Sequence, residues 1–195
     1  MSNLPVSRQQ ALEFVKKYNP EQADLVHYLE SEAVMRGLAE HLGEDVEYWG
    51  MLGLLHDIDW GVTKENVSTH LTKMPEMLKK AGFDDEFIQN ILSHGYGFEE
   101  LPHLKDKQRT KKIHHALSAG ETITGLIHAY ALMRGKKIGG MDAKGLMKKF
   151  KDKTFAAKID REVIREIEKI GLNLDEFFEI TINSIKKIAK EVGLE

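Results

Sequence analysis

The stretch Tyr48-Trp49-Gly50-Met51-Leu52-Gly53-Leu54-Leu55-His56-Asp57-Ile58-Asp59-Trp60 constrains this chain more than any other. It reads as a buried helix with an imidazole and a carboxylate side by side at its end. Ionisable groups are rarely buried unless they are paired or bound to a metal. On a helix turning about 100° per residue, His56 shares a face with Trp49, Leu52, Gly53 and Trp60, which puts the ring inside. His56 and Asp57 therefore read as inner ligands of a metal site. A His-Asp dipeptide arises by chance often enough that context must carry the weight. The alternative is a core histidine hydrogen-bonded to a neighbour, with Asp57 capping something nearby.

The remaining composition narrows the chemistry. There is no cysteine, so disulfides, thiolate zinc sites and cysteine nucleophiles are excluded. Any metal must be held by His, Asp or Glu, which suits manganese, iron, magnesium, zinc, cobalt or nickel without distinguishing them. A net charge of −3 over 195 residues argues against a nucleic-acid partner. No apolar run approaches the roughly 18 residues of a membrane span. The N-terminus lacks the basic region and apolar stretch of a signal peptide. A cytoplasmic location with no membrane partner is expected. The length fits a single domain over residues 1–195. Its core is expected at about 20–135, with C-terminal helices at about 142–193 packed on it.

Nearly every segment reads as helix, and no alternating strand stands out. Ser7 with Gln10 makes a capping box for a helix to about residue 18. Pro20 starts a second, stopped by Gly43. A third covers about 46–58, and 60–66 reads as a loop. A fourth runs from about 67 to 81 with Pro75 inside it. Asp84 caps a fifth, ending at Gly95. A long helix spans about 110–133, and shorter ones begin at Asp142, Asp160 and Asn173. The fold class is all-α.

Several polar residues fall on apolar helix faces. His27 shares one with Ala23, Ser31, Val34 and Leu38, and the two small residues leave room beside the ring. His94 shares one with Phe87, Asn90 and Ile91. Glu121 lies on a stripe with His114, Leu117, Gly125 and His128. Metal sites in helical bundles are built from such inward ligands on facing helices. Each residue has a plainer reading as a satisfied core group, and Glu121 could instead pair with His114 or His128. His41 reads as a residue favoured by the helix C-terminus, and His103 as exposed loop.

The order His27, His56-Asp57, His94, then the acid in Ala119-Gly120-Glu121-Thr122-Ile123-Thr124-Gly125-Leu126, resembles the HD superfamily of metal-dependent phosphohydrolases. The form it most resembles is the small predicted HD hydrolases of bacteria and archaea. Lys151-Asp152-Lys153-Thr154-Phe155-Ala156 is similar to a stretch in those proteins. The resemblance runs from about His27 to Arg161. It implies an HD-domain-like helical bundle with additional C-terminal helices and one or two divalent metal ions. By position, His27, His56 and Asp57 match the family's metal ligands. Glu121 stands where the family has Asp, and its extra methylene must be absorbed by a helix shift or by coordination through water. His70 and His94 match positions that hold a second metal, with His94 ranked ahead of His70.

A metal held by such groups keeps an open position for water, lowers its pKa and supplies a nucleophile for a phosphate ester or anhydride. The expected substrate is a small phosphorylated molecule, possibly a nucleotide. Asp57 would bridge two metals, and Asp59 is a second catalytic candidate, orienting water or supporting a ligand. Basic runs at 105–112, 134–137 and 148–153 read mainly as solvated faces. Two other readings stay open: a metal- or nucleotide-binding regulatory module without turnover, and a helical adaptor whose histidines are core.

Overall fold

A computed structural model describes residues 4–195, and among them every regular element is a helix. Local capping sets most of the boundaries. α1 (Arg8–Tyr18) opens on the Ser7–Gln10 capping box. α2 (Gln22–Leu42) ends at Gly43, whose φ of 70° is the left-handed conformation glycine adopts freely. α3 (Val46–Leu55) is capped by Asp45 and followed by the one-turn α4 (Trp60–Thr63) and by α5 (Met74–Lys80). Then come α6 (Asp85–Leu92), the long α7 (Lys112–Met133), α8 (Ala143–Lys151), α9 (Arg161–Arg165) and α10 (Leu174–Lys187). The side chains of Asp84, Asp142, Asp160 and Asn173 accept the N-terminal amides of α6, α8, α9 and α10.

α3 is buried along most of its length. Trp49 to Leu55 are all buried, as expected of a helix apolar on every side. α2 packs along it, and α7 and α10 cover α2 from the other sides. α2 and α3 approach closely at Gly53, where a Cβ would stand 2.5 Å from the Ser31 carbonyl oxygen. Only glycine lets the two backbones meet there. That contact brings His27 on α2 level with the end of α3. α10 packs on α2 and α8, and the apolar core runs from Ala11 to Leu194. The Lys151–Ala156 stretch forms a turn in which Asp152 accepts from the Thr154 and Phe155 amides.

Several boundaries differ from those read in the sequence; among them, the helix expected to end at Gly95 stops at Leu92 and gives way to a 3₁₀ turn (Ser93–Gly95). α3 stops at Leu55 rather than 58, because the next residues switch to i→i+3 bonds: Ile58 donates to Leu55 and Trp60 to Asp57. The segment after Trp60, expected as loop, begins with α4. The helix expected from 67 to 81 is a 3₁₀ turn (Val67–Thr69), a break, and then α5. Pro75 sits in the first turn of α5, where its missing N–H is tolerated, and starts the helix rather than interrupting it. Among the described residues no helix is long and apolar enough to cross a membrane.

Candidate metal centre

Four histidines converge on Asp57. His27 comes from α2, His56 and Asp57 from the turn after α3, His70 from the end of the Val67–Thr69 turn, and His94 from the 3₁₀ turn (Ser93–Gly95) after α6. His27 Nε2 lies 3.0 Å from His56 Nε2. Asp57 Oδ2 is 3.4 Å from His56 Nε2 and 3.9 Å from His27 Nε2. The other oxygen, Oδ1, is 3.1 Å from Nε2 of both His70 and His94. His27, His56 and Asp57 thus make one group of mutually close ligand atoms, and Asp57, His70 and His94 a second.

The outward nitrogens explain why the inward ones matter. His56 Nδ1 donates to the Gly53 carbonyl at 2.8 Å, and His94 Nδ1 to the Ile91 carbonyl at 2.7 Å. Thr124 gives its own hydroxyl hydrogen to the Glu121 carbonyl, so it accepts from His27 Nδ1 at 3.0 Å. His70 Nδ1 stands 3.0 Å from Asp59 Oδ1. Each ring therefore has its Nδ1 hydrogen committed, and in the neutral form Nε2 carries a lone pair aimed inward. Two such lone pairs 3.0 Å apart, beside a carboxylate, repel unless a cation lies among them. All-imidazole and carboxylate donors with supported Nδ1 positions fit a divalent ion.

Electrostatics follow the same layout. Burial pushes the His56 pKa down to about 3, against the pull of Asp57. Burial also opposes a charge on His70, but Asp57 and Asp59 outweigh it and raise its pKa to about 10. Burial works against the Asp57 carboxylate, yet His56 and His70 hold it well below its ordinary value.

Every residue expected at the site lies in or beside it. Glu121 is at the edge, with Oε2 4.0 Å from His27 Nε2, outside the two tight groups. Burial raises its pKa, countered by His94 and His27. It serves neither histidine of its helical stripe: His114 contacts Asn90 and His128 pairs with Glu30. Asp59 is fully buried and accepts amide hydrogens from Leu71, Lys73 and Met74 as well as facing His70. It stands behind the ring, away from the open face, so its geometry suits support of His70 rather than contact with water. His27, Asp57 and Glu121 are the members still partly open, with 32%, 18% and 16% of their side chains exposed.

Sequence reasoning missed several supports. Tyr28 Oη donates to the Asp57 carbonyl at 2.9 Å. Asn19 donates to the Ile58 carbonyl and accepts from the Gly61 amide, stitching α1 to the turn that carries the ligands. Arg109, hidden in a basic run, donates to the carbonyls of Ser93 and His94. None has a spacing signal, because each acts on a backbone carbonyl distant in sequence.

The chain is 37% identical over 76 residues to Ribonuclease Y of Fervidobacterium nodosum (strain ATCC 35602 / DSM 5306 / Rt17-B1); the match covers 39% of this chain and only 14% of that protein. No solved structure gives a significant match. The HD domain profile matches residues 25–124, the segment that carries His27, His56, Asp57, His70, His94 and Glu121. The match takes in half of the sequence and all of the histidine–aspartate cluster, and the chain belongs to the HD domain family.

Proposed function

We propose that this chain hydrolyses a phosphate ester or anhydride of a nucleotide or other small phosphorylated molecule. In this reading His27, His56 and Asp57 hold one divalent ion, and Asp57, His70 and His94 hold a second. The opposed Nε2 atoms of His27 and His56, 3.0 Å apart with both Nδ1 hydrogens committed, carry the reading. Divalent ions held there would lower the pKa of a bound water and polarise a phosphoryl oxygen.

The chain's own groups do the rest. Asp57 turns one oxygen to each half of the cluster, as a shared ligand must. Asp59 fixes the orientation of His70, and the backbone carbonyls of Gly53 and Ile91 fix His56 and His94. Glu121 completes the His27 side. The partly open edge formed by His27, Asp57 and Glu121 is where a phosphate approaches.

The displaced position of Glu121 favours one second reading, a metal- or nucleotide-binding module without turnover. Metal-loaded and chelated protein should be assayed over phosphate monoesters, phosphodiesters, nucleotides and a short RNA, the last because the Fervidobacterium relative is a ribonuclease by name. Metal-dependent turnover of any class supports the hydrolase. Bound metal without turnover across the panel supports the module.

A further inference from the structure

A cleft of about 710 Å³ opens beside the metal centre, between α2, α7 and residues 190–194. Its wall includes His27 and Thr124, so it is continuous with the most open candidate ligand and with the hydroxyl that orients it. Much of the wall is apolar, with Val26, Ala129, Leu132 and Val192 among its residues. Such a wall suits the organic part of a ligand.

His128 is among the polar residues of this cleft. Its Nδ1 is 2.7 Å from Glu30 Oε1, and Glu30 is only 2% exposed. Hydrogen bonding to that carboxylate raises the His128 pKa and favours the imidazolium. Among the described residues Nε2 has no partner, and the side chain is 28% exposed. Lys136 and Lys190 also line the cleft, opposed by one further acid, Glu191. His128 follows Thr124 by one helical turn on α7, about 6 Å of rise.

We propose that this cleft holds the organic body of the substrate, and that His128, backed by Glu30 and one helical turn beyond Thr124 on α7, binds a second phosphate group there. The inference rests on the phosphohydrolase reading and narrows its substrate class to doubly phosphorylated small molecules. His128 is a specificity-determining residue in this scheme, because its Nε2–H can make a charge-assisted hydrogen bond only to a ligand that reaches it.

The test compares binding of adenosine 3′,5′-bisphosphate and adenosine 5′-monophosphate to the metal-loaded full chain by calorimetry. The bisphosphate should bind about tenfold tighter or more, the ratio expected from one charge-assisted hydrogen bond. His128→Gln should erase the preference with metal content unchanged. Because that variant leaves Glu30 without its cationic partner, Ala129→Trp provides a second route: it fills the cleft and orphans no charge. Equal affinities in the wild type, or a preference that survives both variants, overturns the proposal. Turnover with no bisphosphate preference removes this subsite and leaves the hydrolase reading standing. A preference erased by both variants, in a protein that turns over no phosphate compound, keeps the subsite and removes the hydrolase reading.

Discussion

Asp59 Oδ1 stands 3.0 Å from His70 Nδ1, on the opposite side of the ring from Asp57 Oδ1 at 3.1 Å. Asp59 is the buried carboxylate of a carboxylate–histidine pair, and three backbone amides hold it in place. Asp59→Asn should weaken metal affinity about 10- to 100-fold, the usual effect of losing such a support. It should also destabilise the fold by about 1–3 kcal/mol, since an amide NH₂ cannot accept from those amides. Metal titration and thermal melting check both parts, and unchanged affinity would count against the supporting role.

Metal removal should lower the melting temperature. A ligand that binds only the native state adds about 2.7 kcal/mol at a hundredfold excess over Kd. Elemental analysis should show bound metal in the wild type. His56→Ala should both lose metal and abolish the response to chelator. A melting temperature indifferent to removal of a measured metal would place that ion outside the cluster.

Glu121 sits 4.0 Å from His27 at the open edge, with no tie to His114 or His128. Glu121→Gln should weaken metal binding about tenfold, because a neutral amide replaces an anion beside a divalent charge. Glu121→Asp should retain metal. Metal content in the two variants decides, and full retention by Glu121→Gln would remove it from the ligand set.

Gly53→Ala should couple packing to the site. The added methyl would press on the Ser31 carbonyl at 2.5 Å and force α2 from α3. Overpacking of this kind costs about 1–3 kcal/mol. The same displacement separates His27 from His56, so metal affinity should fall together with the melting temperature. A stability loss with metal affinity intact would show that the two helices hold the ligands independently.

His70 gives the pH dependence its sign. In the metal-free protein its pKa rises from 6.5 to about 10, so native His70 holds a proton that unfolded His70 releases above pH 6.5. Its contribution to apo stability is fully present below pH 6.5 and is lost as pH rises towards about 10. Metal binding requires the neutral ring. Loading at pH 8 should therefore release about one proton from this site, and affinity should increase with pH. Calorimetry in buffers of different ionisation enthalpy measures the released protons; none released would contradict a ligand role for His70.

Much of this was legible in the chain. Capping residues announced where helices begin, as at Ser7, Asp84, Asp142, Asp160 and Asn173, because a cap is a local interaction among near neighbours. The inward faces of His27, His56 and His94 followed from helical periodicity. Periodicity tells which side a residue faces but not which level of a neighbouring helix it meets. That is why Glu121 could be placed on a stripe with His114 and His128 although each of those finds its partner on another helix. The turn after Leu55 reads as helix because the apolar pattern continues past the point where the hydrogen-bond register tightens. Asn19, Tyr28 and Arg109 leave no trace, since their partners are main-chain groups that carry no side-chain signature.

One carboxylate serving both halves of the cluster has a consequence for how the protein takes up metal. If the cluster holds two ions as proposed, one seated between His27 and His56 would draw on the same Asp57 charge that the His70–His94 half needs. The two halves would then read each other's occupancy, and filling should follow a coupled isotherm rather than two independent ones. Substitution of His27 should leave one class of site, whereas substitution of Asp57 should abolish both. In a cell that offers several divalent ions at once, a mismatched ion in either half would alter the affinity and selectivity of the other.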